Sequence, residues 1–329
     1  MRIPFKQLKA EFKRILISLD FPEAKAALCA KIFAENSRDG VYTHGLNRFS
    51  TFVTHIKQGV VKPDAEPSLI NAFSALEQWD GNFGPGILNA LFCMDRATEL
   101  AGMNGIGCVA IKNTNHWMRG GTYGWQAAEA GFIGINFTNT TANVAPWGGT
   151  TPTLGNNPLV IAVPRKGGHV VLDMAVSQFS IGKLQQYKSY GDLLPVPGGY
   201  DEDGNLSTDP AAILASKRVL PVGFWKGSGL ALLLDLLASV LSQGNSTKKV
   251  TDRGIESGVS QIFIAIKPQS DEQADELIEE ILNFTKSSQQ IDPDKPVFYP
   301  GENTLKTRHK NDAEGVLVDE KIWAEVRAL

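Results

Sequence analysis

"GIGCVA", residues 105–110, is the stretch on which the fold turns. Its spacing satisfies G-x-G-x-x-A, but such a loop cradles a phosphate only when a strand precedes the glycines and a helix follows them. Here the order is reversed. The run before it, "GILNALFCMDRATELA", has helical periodicity, and "GIGCVAI" continues as a β-rich strand, so Gly105 reads as a helix stop leading into a strand. No G-x-x-x-x-G-K-[S/T] occurs either, so a nucleotide would have to be held by other means.

Beyond Gly105 the short β-rich runs "FIGINF", "PLVIAVP", "HVVLDMA" and "SQIFIAIKP" are interspersed with helical runs. The helical ones are "GTYGWQAAEA", "GLALLLDLLASVLS" and "SDEQADELIEEILNFTKSS", the last opened by a capping box from Ser270 to Gln273. Some consecutive strands have no helix between them, which predicts a mixed α/β sheet. Before Gly105 the chain begins with helices. Phe5, Leu8, Phe12, Ile15 and Leu16 recur at helical spacing, and Pro22 suits the first turn of a second helix. A third is expected from Thr43 as N-cap, with Leu46, Phe49, Phe52, Val53 and Ile56 on its apolar stripe and Gly59 as its stop. The final run "VDEKIWAEVRAL" is again helical and able to pack on the first helices. The expected organisation is a discontinuous helical domain, residues 1–70 with 303–329, and a mixed α/β domain, residues 71–302.

With 329 residues the chain can bury a large core, and 43% hydrophobic with 20% charged residues is an ordinary globular composition. A net charge of −3 without a basic run leaves no electrostatic footprint for nucleic acid or an anionic membrane. The longest apolar run, "LALLLDLLASVL", is short for a bilayer span and carries Asp235. The opening "MRIPFKQLKAEFKR" lacks the apolar segment of a secretory signal. Cys29, Cys93 and Cys108 are odd in number and scattered, which suits reduced thiols and a cytoplasmic location. The five histidines show no HExxH or ligand spacing, so no metal site is expected. "GSG" at 227–229 falls short of the GxSxG of a serine hydrolase.

Four stretches carry chemistry-bearing side chains. "DGVYTHGLNRFS", residues 39–50, sets His44 and Arg48 one turn apart at a helix start, where a histidine is often only a capping or surface residue. "NTNHWMRGGTYGWQAAE", residues 113–129, puts His116 and Arg119 in a glycine-rich turn between a strand and a helix, a site-forming place or simply a tightly packed turn. "VVLDMAVSQFSIGK" ends a strand on Asp173, which can bond a ribose hydroxyl or cap a helix. "VGFWKGSGLALLL" sets Lys226 ahead of an apolar helix, where backbone N–H groups and an ammonium could meet a diphosphate.

Taken together, "DGVYTHGLNRF", "NHWMRGGTYGWQAAE", "GNNPLVIAVP", "VVLDMAVSQFSIGK", "PVGFWKGSGLALLLDLLASVLSQG" and "YPGEN" resemble the type-2 malate and L-lactate dehydrogenase family of NAD(P)H-dependent oxidoreductases. The resemblance implies a non-Rossmann α/β fold, a helical domain built from both chain ends, and a homodimer. It implies NADH as cofactor, with NADPH possible, held by His169, Val170, Val171, Leu172, Asp173, Met174 and Ala175, by Trp225 and Lys226, and by Gly301, Glu302 and Asn303. His44 becomes the proton donor for reduction of a small 2-oxo acid. Arg48 would grip its carboxylate through a forked hydrogen bond, and His116 is a second candidate for binding or acid work. Sibling activities on malate, lactate, ureidoglycolate or a cyclic imino acid remain open. So do a hydrolase or lyase using His44 and His116, and a noncatalytic binding protein.

Overall fold

The computed structural model describes residues 1–269 and 272–329. A short strand β1 (Arg2–Ile3) leads into α1 (Phe5–Ile17), α2 (Glu23–Arg38) and α3 (Leu46–Lys57). The apolar stripes of these helices close on one core, in which the ring centroids of Phe12 and Phe49 are 4.3 Å apart and those of Phe33 and Phe49 meet edge-on at 5.0 Å. The third helix departs from expectation. Tyr42–His44 form a separate 3-10 turn, and α3 starts at Leu46 with Gly45 at its cap position, so Thr43 does not cap it.

The central part opens with a hairpin, β2 (Ser68–Phe73) and β3 (Leu76–Asp80), followed by α4 (Gly86–Asn104), β4 (Ile106–Thr114), α5 (Gly121–Glu129) and β5 (Ile133–Thr138). Gly105, at φ +82°, caps α4 and β4 begins at the next residue. "GIGCVA" is therefore a helix stop, as its context predicts. Short strands β6 (Ala142–Val144) and β7 (Leu154–Gly155) precede β8 (Leu159–Val163) and β9 (Val170–Met174). Then come α6 (Ile181–Tyr190), β10 (Gly199–Tyr200), β11 (Leu206–Ser207), α7 (Pro210–Ser216), β12 (Arg218–Val219), α8 (Trp225–Ser242), α9 (Thr247–Asp252) and β13 (Val259–Ile266). The chain ends with α10 (Glu272–Lys286), α11 (Glu302–Glu314), β14 (Val316–Leu317) and α12 (Glu320–Arg327). Ser270, expected to open the α10 capping box, lies outside the described residues.

The main sheet has the order β2-β3-β4-β13-β5-β8-β9. Only β3 and β4 pair in parallel, so the sheet is mixed. Alternation along β4 and β13 sends Val109, Ile111, Phe263 and Ala265 to one face, under α4 and α5, and Ala110 and Ile262 to the other, under α8. A second sheet, β11-β10-β12-β6-β7, carries a small core of Leu184, Leu194, Ile213 and Val219 with α6 and α7. At the chain ends β1 pairs with β14, and Val316, Val318, Trp323 and Val326 enter the core of α1, α2 and α3.

Helix α8 is longer than its apolar run suggested. Its 18 residues, with mean hydropathy 1.3, make it long and apolar enough to cross a membrane by length and composition. Its packing is that of a sheet helix. Ala231, Leu234 and Ala238 lie against the strands, and Asp235 Oδ1 accepts hydrogen bonds from Asn139 Nδ2 (2.8 Å) and the Thr247 N–H (2.9 Å).

Candidate active site

The site is anchored by the last turn of α2. Asn36, 1% exposed, donates from Nδ2 to the His44 carbonyl (2.9 Å) and accepts from the Thr122 hydroxyl (3.0 Å). Ser37 Oγ accepts the Leu46 N–H (2.9 Å) while donating to the Phe33 carbonyl. The turn therefore lies flat on α2, and Gly45 is what allows it. A Cβ at that position would collide with Ser37 Oγ and come within 2.8 Å of the Ser37 backbone nitrogen. Thr43 Oγ1 sits 3.2 Å from His44 Nδ1, which leaves Nε2 as the nitrogen free to meet a ligand.

Four groups define the electrostatics of His44. Burial pushes the imidazole down to about 4; the Asp173 carboxylate pulls it back up, and the cations of Arg48 and Arg119 push it further down. His116 stacks against it, ring centroids 5.7 Å apart at 20°. Its Nδ1 accepts the Met118 N–H (2.9 Å), so the neutral ring carries its proton on Nε2. Burial, with Arg48 next in weight, holds His116 well below the ordinary histidine range. At neutral pH it is a hydrogen-bond donor rather than a proton source.

Arg48 acts on all three neighbouring rings, His44, His55 and His116. No carboxylate of the described residues pairs with it. Thr51 and His55 continue its stripe along α3 and, with Asn115 and His116, line a cavity of about 10 Å³, the room of one water-sized group. An unpaired guanidinium beside neutral imidazoles is a site for an anion.

Asp173 occupies an unexpected place. Its Oδ2 accepts the Gly121 N–H (2.8 Å), so it caps α5, far away in sequence, rather than α6, which begins eight residues after it. Arg119 Nε lies 3.8 Å from the same oxygen, and Arg119 Nη1 bonds Asp39 Oδ2 at 2.8 Å. Arg308 adds two further bonds to Asp39 (2.9 and 2.8 Å). Burial pushes Asp39 up, but these two arginines outweigh it and hold the carboxylate below its usual range. The network ties α2, α11 and the turn before α5 together behind the histidines.

The three segments expected to hold a cofactor meet along β9. His169 precedes the strand; Val170, Val171, Leu172, Asp173 and Met174 form it, pairing with Val163 to Leu159; and Ala175 follows. Near its start the Val171 N–H donates to the Pro300 carbonyl (2.9 Å), and Gly301, at φ +96°, lies where a Cβ would be 3.1 Å from both the His169 oxygen and the Val171 nitrogen. Past its end the Val222 N–H donates to the Val176 carbonyl, bringing Trp225 and Lys226 to that side. Trp225 is 65% exposed, and the Lys226 ammonium lies 6.0 Å from its ring centroid with no carboxylate partner among the described residues. Near Gly301 the buried Trp125 Nε1 has no acceptor. The unpaired donor thus lies by the start of β9, and the free cation and the exposed aromatic ring lie past its end. Glu302 is already engaged, by Lys286 (2.9 Å) and Lys306 (3.1 Å), while the backbone carbonyl of Asn303 accepts the Thr307 hydroxyl.

Sequence reasoning took Thr43 only as a helix cap and did not single out Asn36 or Glu256. Glu256, between α9 and β13, places Oε1 3.8 Å from His116 Nε2. Thr43 lies within "YTHG" and was within reach of a local argument; Asn36 reaches the turn from α2, and Glu256 sits in a loop without periodicity.

The chain matches the malate/L-lactate dehydrogenase family over residues 3–327. It is 44% identical over the full length of both chains to a protein named 2,3-diketo-L-gulonate reductase from Escherichia coli O6:K15:H31, and 43% identical, again over both full lengths, to one of the same name from Mannheimia succiniciproducens. Among solved structures, malate dehydrogenase from Entamoeba histolytica superposes with a TM-score of 0.94 at 25% identity, over 100% of this chain and 96% of that one. Sulfolactate dehydrogenase from Methanocaldococcus jannaschii gives 0.89 at 28%, over 99% and 95%. The chain belongs to the malate/L-lactate dehydrogenase family, oxidoreductases that act on small molecules with a nicotinamide cofactor.

Proposed function

We propose that the protein is an NADH-dependent reductase of a 2-oxo acid, converting 2,3-diketo-L-gulonate to 3-dehydro-L-gulonate. The observation that carries the reaction type is the convergence of His44, Arg48 and His116, with Arg48 lacking any carboxylate partner among the described residues. The substrate reading is supported by the full-length relatives of that name.

A bound nicotinamide supplies hydride to the carbonyl carbon. The residues that hold it are His169 to Ala175, Trp225 with Lys226, and Gly301 to Asn303; NADPH is the alternative cofactor. Arg48 binds the substrate carboxylate through its fork, a charge-assisted contact of roughly 1.5 to 3 kcal/mol per bond. His116 donates its Nε2 proton in a hydrogen bond to the substrate and stays neutral. His44 delivers the proton from Nε2 to the carbonyl oxygen. In the free protein its pKa of about 4 leaves it neutral near pH 7. An anion on Arg48 cancels one of the cations that depress it, so binding the substrate favours loading the donor. The ring thus takes up a proton when there is an oxygen to receive it.

The same reading includes a homodimer, a cytoplasmic location and two units, residues 1–70 with 303–329 and residues 71–302. The free state of Cys29, Cys93 and Cys108 supports the location, the shared core of both chain ends supports the division, and the exposed leucines of α8 support the dimer.

The deciding experiment is oxidation of NADH and NADPH across a panel of 2-oxo acids including 2,3-diketo-L-gulonate, with His44→Ala in parallel. The expected result is preference for 2,3-diketo-L-gulonate with NADH. The variant should lose about 10²-fold or more in turnover while still binding NADH. Absence of oxidation with every 2-oxo acid would overturn the reading.

A further inference from the structure

The wall facing His116 carries polar groups for which proton delivery and carboxylate binding have no use. Glu256 is only 19% exposed at its side chain. Its Oε2 accepts from the Thr141 hydroxyl (3.1 Å), whereas Oε1, 3.8 Å from His116 Nε2, accepts no hydrogen bond from the described residues. Since His116 Nδ1 is taken by the Met118 N–H, a donor (Nε2–H) and an acceptor (Oε1) stand side by side. They are close enough for one hydroxyl to accept from the first and donate to the second.

The charges at the two parts of the site differ in sign. Arg48 offers a cation for one carboxylate, while Glu256 offers an anion with one free acceptor oxygen. A 2-oxo acid held at Arg48 has its tail left to place. A hydroxyl on that tail satisfies Glu256, whereas a second carboxylate would bring like charge against a largely buried anion and carry no proton to donate.

We propose that Glu256 selects the tail of the substrate, admitting 2-oxo acids with hydroxylated tails and rejecting dicarboxylates such as oxaloacetate. This rests on His44, Arg48 and His116 forming the substrate site, and it holds for hydroxylated 2-oxo acids as a class.

The test uses the full-length protein and two readouts. Titration calorimetry with malate and with L-gulonate measures binding without turnover, and kcat/KM for oxaloacetate and 2,3-diketo-L-gulonate measures selection during reduction. Glu256→Gln removes the charge while keeping the shape, and is expected to raise the malate-to-gulonate affinity ratio and the corresponding kcat/KM ratio about tenfold or more. Ratios within about twofold of the wild type for Glu256→Gln would overturn the proposal. Failure of L-gulonate to bind the wild type at millimolar concentration would also overturn it. If no 2-oxo acid is reduced at all, the reductase reading falls, and the calorimetric ratio still decides the role of Glu256.

Discussion

Asp173 Oδ2 accepts the backbone N–H of Gly121 across 2.8 Å, and the same carboxylate is the group that pulls the His44 imidazole back toward protonation. One side chain thus caps α5 and opposes the burial of the proposed donor. In Asp173→Asn the amide oxygen still accepts from Gly121, but the charge is gone. The sign follows directly. His44 loses the one influence that raises its pKa, so it titrates below the wild-type value of about 4 and is less protonated at every working pH. The kcat/KM for reduction, which reports the donor of the free protein, should decline as pH rises from about 5 to 8 in both proteins and run roughly tenfold lower in the variant. An NMR titration of the His44 imidazole reads the shift itself; a midpoint equal to the wild type would remove Asp173 from the donor's environment.

Arg48→Lys keeps a cation but loses the planar fork. The expected outcome is a KM for the 2-oxo acid raised about tenfold, the equivalent of one lost charge-assisted hydrogen bond, with NADH affinity retained in a fluorescence titration. Occupation of Arg48 should also draw a proton onto His44, so oxamate binding to the wild type near pH 6 should take up protons from weakly buffered solution. Unchanged KM together with no proton uptake would take the carboxylate away from Arg48.

Gly45→Ala tests how the donor is held. The added methyl meets both the side chain and the backbone of Ser37, and α2 cannot recede without breaking the core of Phe33, Phe49 and Phe52. Overpacking of this kind costs about 1 to 3 kcal/mol. Chemical denaturation should show that loss, accompanied by a fall in turnover because the His44 carbonyl is pinned by Asn36 across the same contact. Wild-type stability and activity would mean that the turn need not lie on α2.

The parts legible in the sequence are those with a periodic burial pattern. The stripe Phe5, Leu8, Phe12, Ile15 and Leu16 yields α1, and the reversed order around Gly105 excludes a dinucleotide-binding loop. What the sequence concealed was set by contacts between distant segments. His44 looked like a first-turn helix residue, because nothing local announces that Ser37 captures the Leu46 N–H and splits off a 3-10 turn. Asp173 was assigned to a ribose or to the next helix, since a cap on Gly121 spans 52 positions. Strands β10, β11 and β12 have two residues each, too few for any alternation to register. Helix α7, by contrast, has a readable start in Asp209 as N-cap and Pro210 in the first turn.

Helix α8 carries the last prediction. Its inner side packs on the sheet through Ala231, Leu234 and Ala238, yet Leu232, Leu233, Leu236, Leu237 and Val240 on its outer side are between 47% and 69% exposed. Their spacing makes one continuous apolar stripe along the helix, more than a soluble monomer ordinarily leaves in water. A second copy presenting the same stripe would cover it in a two-fold contact, where each leucine meets its own symmetry mate or a near neighbour. Leu236→Glu places a carboxylate in the middle of that contact. Two such charges facing each other without partners cost several kcal/mol on association, while the folded protomer is little affected because the side chain already faces outward. Sedimentation velocity at micromolar concentration should find the wild type as a dimer and Leu236→Glu as a monomer with an unchanged circular dichroism spectrum. A monomeric wild type, or a variant that remains dimeric, would assign this face to something other than a second copy of the chain.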